Sequence, residues 1–255
     1  MTATDPTFSD APGASLAAAY EETHAAILGI LGGLNHHQLS TVVPACPAWT
    51  VRELVAHMTG VAADAIAARF PAVNPHGTWA ERQSIVDEFT AGHVKRWRGM
   101  AMDEVLAEWA GHVPVLSTML RRDQPFPAGS LPSIDWVVVS DIAAHAQDLR
   151  GAVHLPGDRD SAGVTLGLQR YVNGLSRRIT AAGLPALRLC TEDREHAAGC
   201  GLPASTVTAA RWELFRALSS RRSPSQIRAL SWSGDAESYL PLLPAYGERG
   251  DDLIE

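Results

Sequence analysis

A chain of 255 residues has room for one large or two modest domains with an ample core. Its 46% hydrophobic content and mean hydropathy of −0.03 are those of an ordinary soluble globular protein, and a formal charge of −7, with the basic residues spread out, argues against nucleic acid or an acidic membrane surface as partner. No apolar run approaches the roughly 18 residues of a membrane span, the start Met1–Pro6 lacks the features of a signal peptide, and Cys46, Cys190 and Cys200 are too few and scattered for a disulfide framework, so a cytoplasmic protein is expected.

The first ten residues or so, rich in Thr, Asp, Pro and Ser, read as a disordered lead-in. From Ser15 to about Leu34, Leu16, Ala19, Tyr20, Thr23, Ile27, Ile30 and Leu31 recur at helical spacing, and Gly32-Gly33 ends the run. A turn-rich stretch, Asn35 to Pro47, follows, with His36 and His37 facing solvent. Thr50 and Glu53 then form a capping box, with Trp49 and Leu54 placed as a hydrophobic staple. The helix they open carries His57 in an apolar neighbourhood and runs to about Phe70, where Pro71 stops it. A third helix is expected from Thr78 to Gly99, anchored by Trp79, Ile85, Phe89, Val94 and Trp97. A fourth spans Met102 to Arg121, with Pro114 expected to kink or split it.

A Pro-rich loop leads into the helix Asp135–Arg150, which Gly151 should stop. At about 100° per residue, Asp141, His145 and Asp148 share one face of it. Their neighbours are Val, Ile, Ala and Leu, and burying a carboxylate and an imidazole among them costs several kcal/mol unless something compensates. A divalent cation would do so; so would a partly exposed pair of the kind many helices carry. His57 has the same two readings, core residue or ligand. If the helices bring it to Asp141 and His145, two imidazoles and a carboxylate form a set with open coordination positions, typical of a catalytic site. Zinc is the default ion, and nickel, cobalt, manganese or ferrous iron use the same donors. The remaining histidines, His24, His76, His93, His112, His154 and His196 among them, lack this convergence. Asp148 either orients a ligand or pairs with Arg150 or Arg52, and Asp64, about two turns beyond His57, is a weaker orienting residue.

Four or five long helices with short connections imply an N-terminal bundle over residues 10–155. After Gly151 the pattern changes. Gly163 to Ala182 is helical, Leu187–Thr191 and Ser205–Thr208 alternate like strands, a helix covers Ala209 to Leu218, and another follows Ser225 to Ala229. Leu230–Gly234 reads as a strand-like turn and Tyr239–Leu243 as a last helical scrap. This is a small α+β domain over residues 160–247. Cys190, Cys200 and the intervening His196 read as ordinary packed or loop residues.

The stretch Cys46-Pro47-Ala48-Trp49-Thr50-Val51-Arg52-Glu53-Leu54-Val55-Ala56-His57 resembles the Cys-Pro-x-Trp-Thr-Val-Arg-Asp-Leu-Leu-Ala-His opening of the mycothiol-dependent maleylpyruvate isomerase family, within the DinB-like four-helix bundles. The resemblance implies that His57 is a metal ligand and that the other two stand as carboxylate-x-x-x-His, here Asp141 and His145, continuing to Asp148-Leu149. The family's carboxylate resembles Glu; this chain has Asp, one methylene shorter. The C-terminal half resembles the family's sterol-carrier-protein-like domain, whose helix ends in Leu-x-Gly-Arg-Arg-Ser. Here that is Leu218-Ser219-Ser220-Arg221-Arg222-Ser223, with Ser for Gly. The family places an Arg from this domain toward the metal; Arg221 is the best match and the expected catalytic residue, Arg221 and Arg222 are the expected thiol-binding pair, and otherwise the two neutralise a helix C-terminus. The implied activity is isomerisation or S-transfer on an electrophilic small molecule, using a metal and a low-molecular-weight thiol such as mycothiol, in a monomer or homodimer. A non-catalytic small-molecule-binding bundle with a vestigial metal site, and metal-dependent hydrolysis, are the other readings.

Overall fold

The computed structural model describes residues 13–72 and 79–255. The expected lead-in, His76 and Thr78 lie outside the described residues, as does the Trp79 side chain. The chain divides into two compact units between Gly157 and Asp158.

The first unit is helical: α1 (Gly13–Leu31), the short α2 (His36–Leu39), α3 (Val51–Ile66), α4 (Trp79–Arg96), α5 (Met102–Leu120) and α6 (Ile134–Ala152). Helix α1 packs against α5 and α6, and α3 packs against the same two, closing a four-helix bundle; α4 adds to it along α3. Leu16 and Ile27 of α1, Leu54 of α3, Leu116 of α5 and Leu149 of α6 are fully buried between them. Each such side chain contributes about 1.5–3 kcal/mol through the water it sheds. Deep in the core the Trp109 indole N–H donates to the Tyr20 hydroxyl at 3.0 Å, so neither polar tip is left unmet.

Three local expectations change. The stretch 35–47 is more than turns: Asn35 and Gln38 form a capping box that opens α2, and β1 (Val42–Val43) pairs antiparallel with β2 (Cys46–Thr50). Strands this short, one containing Pro47, leave no readable alternation. Helix α5 runs unbroken through Pro114. Helix α6 passes Gly151 and closes at His154, whose φ of 54° supplies the left-handed residue; Leu155 N–H then reaches the Arg150 carbonyl at 3.0 Å.

The second unit, from Asp158 onward, consists of α7 (Ala162–Ala181), β3 (Ala186–Cys190), β4 (Glu195–Ala198), β5 (Pro203–Thr208), α8 (Arg211–Leu218), α9 (Pro224–Arg228) and β6 (Ser231–Ser233). The sheet order is β4-β3-β5-β6, with β3 and β5 parallel and the outer pairs antiparallel. Leu187, Leu189 and Val207 are buried while Arg188 faces out, the period-2 pattern of a half-buried sheet. Helix α7 packs on α8 and on β3 and β4. The close approach of the two helices depends on Gly167, where a Cβ would stand 2.5 Å from the Phe215 ring. Strand β4 was not expected; it lies in the polar, Gly-flanked segment between Cys190 and Cys200, both of which are free thiols.

Candidate metal centre

The site begins with the local chemistry that aims α3. The Thr50 hydroxyl accepts from Glu53 N–H and the Glu53 carboxylate accepts from Thr50 N–H at 2.8 Å, which is the capping box the sequence announces. Because Thr50 is also the last residue of β2, the cap fixes how strand passes into helix. His57, seven residues on, is thereby carried into the bundle, where it is 3% exposed. Trp49, expected as half of a hydrophobic staple, stacks on the His57 imidazole with ring centroids 4.7 Å apart and 29° between planes. Its neighbour on the strand, Cys46, directs its thiol at the Asp148 carboxylate, 3.5 Å away.

Helix α6 supplies the opposing side. The Asp141 carboxylate lies 3.6 Å from His57 Nε2 and 3.6 Å from His145 Nε2, and the three donor atoms all lie within 4.8 Å of one another. His145 Nδ1 donates to the Asp148 carboxylate at 2.9 Å, a contact of the kind that orients an imidazole ring. His145 and Asp148 are buried, while the Asp141 side chain is 24% exposed and opens the cluster to solvent.

The electrostatics follow from this packing. Burial drives the His57 pKa down to about 4, the nearby Asp141 only partly opposing it. Burial also disfavours the charged forms of Asp141 and His145, but their mutual attraction wins: Asp141 is held near 2, and His145, with Asp148 adding to the pull, is raised to about 10. An ion-free site at neutral pH therefore holds a neutral His57, a carboxylate and an imidazolium, one proton occupying the space between donors. With that proton removed, two nitrogen lone pairs and a carboxylate oxygen face one another. Zinc bonds of roughly 2.0–2.2 Å in a tetrahedral arrangement place donors roughly 3.3–3.6 Å apart. The two 3.6 Å separations match that within a few tenths of an ångström, and with all three donor atoms within 4.8 Å of one another the set, shorter Asp141 arm included, is one that could hold a divalent cation.

One histidine set aside in the sequence belongs here. His93, on α4 and 1% exposed, places its Nδ1 3.1 Å from His57 Nδ1 and its Nε2 3.0 Å from the Asp64 carboxylate. Asp64 is gripped in turn by Arg69 Nε at 2.8 Å and Arg96 Nη1 at 2.9 Å. Burial works against that carboxylate, but His93 and Arg96 outweigh it and hold it far below the ordinary range. A faint signal was present: Gly60, one turn beyond His57, has no capping role, and a Cβ there would stand 2.4 Å from the His93 ring.

Arg221 and Arg222 lie in the second unit, just past α8. Ser220, in the place of the family's Gly, takes the left-handed φ of 65° that such a Gly favours. Arg221 is 9% exposed and donates from Nη1 to the Ser219 carbonyl. The Arg222 guanidinium is engaged by Glu213 and Glu255, each at 3.0 Å from one of its amino nitrogens, and by the Arg221 carbonyl. Arg216 beside it, fully buried, also pairs with Glu255.

A helical bundle with a two-histidine, one-carboxylate cluster at its heart, followed by a small α+β unit, is the class of protein these observations define. Residues 20–150 match the family described as the mycothiol maleylpyruvate isomerase N-terminal domain, and the chain belongs to that family. It is similar in structure to the crystal structure of the mycothiol-dependent maleylpyruvate isomerase, at 17% identity and a TM-score of 0.54 over 92% of this chain and 98% of that one. A histidine-to-alanine mutant of that isomerase matches at 16% identity, the same TM-score and the same coverage. Identities this low show a shared fold. No curated protein sequence matches the chain.

Proposed function

We propose that the protein is a metal-dependent enzyme that uses a low-molecular-weight thiol, mycothiol or a close analogue, to isomerise an electrophilic small molecule or transfer sulfur to it. The observation that supports this reading most directly is the convergence of His57 Nε2, His145 Nε2 and the Asp141 carboxylate on one point of a bundle of this family. These three residues would hold the ion, zinc first among the divalent candidates. A divalent cation held there lowers the pKa of a thiol and so supplies a thiolate nucleophile at neutral pH. Addition of that thiolate to a conjugated double bond leaves a single bond free to rotate, and its expulsion restores the double bond and the thiolate.

The chain's own residues have separable tasks. Asp148 keeps the His145 proton on Nδ1, so that Nε2 presents its lone pair. Trp49 covers one face of the His57 ring and keeps water from it. The partly exposed flank at Asp141 is the side from which thiol and substrate enter. Arg221 is our choice for binding an anionic group of thiol or substrate, since a guanidinium pairs two-pronged with a carboxylate. Arg222, occupied by Glu213 and Glu255, we assign to holding its own unit together.

The test is metal content by mass spectrometry on protein purified without a chelator, coupled to a thiol-dependent assay on cis-unsaturated acids and alkylating electrophiles. Close to one transition-metal ion per chain and thiol-dependent turnover are expected, both lost in His57→Ala. A His57→Ala protein with undiminished metal content would refute the assignment.

A further inference from the structure

We infer that His93 and Asp64 are positioning residues that set the tautomer of His57, and through it the affinity of the cluster for a divalent cation; this rests on reading His57 as a ligand. Asp64, salt-bridged to Arg69 and Arg96, is an ionised carboxylate and accepts hydrogen bonds only. His93 Nε2, 3.0 Å from it, must therefore carry a proton. In the arrangement we infer, His93 carries this proton alone and offers a lone pair on Nδ1, so that the ring nitrogen it meets at 3.1 Å, His57 Nδ1, is the donor. With its proton on Nδ1, neutral His57 has its lone pair on Nε2, the nitrogen aimed at Asp141. The carboxylate of α3 thus reaches the other end of the His57 ring through a histidine of α4, as Asp148 reaches His145 directly.

Packing makes this arrangement specific. The His93 ring is held edge-on by Phe89, with centroids 4.4 Å apart at 71°, and it fits only because residue 60 is glycine. Free histidine divides its neutral form between two tautomers. A ligand locked in the productive one loses less on binding, and outer partners of this kind are worth about 10- to 100-fold in metal affinity.

The experiment uses the full chain, stripped of metal, with cobalt(II) as probe. Two quantities are read: the cobalt dissociation constant, from its visible absorption, and the His57 tautomer in the ion-free protein, from long-range ¹H–¹⁵N correlations of the imidazole. Wild type should show the proton on Nδ1. His93→Leu should bind cobalt about 10- to 100-fold more weakly and shift His57 toward the Nε2–H form. His93→Gln, whose amide oxygen can accept from His57 while its NH₂ donates to Asp64, should recover most of both. Wild-type affinity and an unchanged tautomer in His93→Leu would overturn the inference. If His93→Leu does not fold, Asp64→Asn answers instead, because removing the ionised acceptor removes the direction of the chain. Failure of the metal reading is distinguishable: cobalt would then bind His57→Ala as it binds wild type, or not bind wild type at all, while the tautomer of His57 still reports on His93.

Discussion

On the proposed reading of the cluster as a metal site, the proton held by His145 should make that binding strongly dependent on pH. In the ion-free protein its pKa is raised to about 10, because the Asp141 and Asp148 carboxylates outweigh the cost of burying the charge, whereas His57 titrates near 4 and Asp141 near 2. Between pH 5 and 9 only one of the three donors must therefore release a proton to a cation. The apparent affinity should rise tenfold for each pH unit, roughly 1.4 kcal/mol, or about 100-fold from pH 6 to 8. A site built from ordinary exposed histidines levels off above about pH 6.5. Competition against a chromophoric chelator from pH 6 to 8.5, corrected for the chelator's own protonation, measures the slope. Calorimetry in buffers of different ionisation enthalpy counts the protons released. A slope that flattens near pH 7, or a proton count near zero, would refute the reasoning. The same shift carries a sign for stability. The folded chain holds this proton above the range where an unfolded histidine loses it, so its stabilising share is present below about pH 6.5 and is lost as the pH rises toward 10. Ion-free protein should thus melt at progressively lower temperature across that interval, and ion-loaded protein should not.

Other outcomes follow from single contacts. Asp148→Asn keeps the shape but removes the charge behind His145, and should weaken cobalt binding about 10- to 100-fold while shifting the pH–affinity curve toward lower pH. Thr50→Ala removes the α3 cap and should cost about 1 kcal/mol in chemical denaturation, within a range of roughly 0.5–2. Removing Leu253–Glu255 strips a carboxylate from the buried guanidiniums of Arg216 and Arg222, and should destabilise the second unit by about 3–5 kcal/mol. Ser220→Ala keeps the left-handed backbone but loses the hydroxyl that accepts from Tyr246 N–H at 2.9 Å, so it should cost about 1 kcal/mol. Ser220→Gly loses the same bond yet relieves a strain of about 1 kcal/mol, and should melt close to wild type.

Much of this was written within single helices, and that is where the sequence was most legible. The capping box at Thr50 and Glu53 is a local exchange of hydrogen bonds, and the structure shows both of them. Asp141, His145 and Asp148 share a face by helical arithmetic alone, and the two imidazole contacts along α6 lie at i, i+4 and i, i+3. The Arg-Arg-Ser ending of α8 was visible too. Only backbone geometry explains its missing glycine, since Ser220 takes the left-handed turn itself and Tyr246 returns a hydrogen bond. The hairpin of β1 and β2 was not legible, because a two-residue strand and one with an internal proline carry no period.

His93 failed to stand out for a different reason. Its partners are His57 and Asp64, 36 and 29 residues away on another helix, and nothing in the spacing of α4 points to them. The two halves of the centre thus differ in kind. His145 meets Asp148 within its own helix, at the i, i+3 spacing that α6 itself provides. His57 meets His93 only when α4 docks on α3, through a gap that Gly60 leaves open. On the proposed reading, orientation of His57 therefore depends on tertiary packing, and loosening α4 should weaken metal binding without touching any of the three donor side chains.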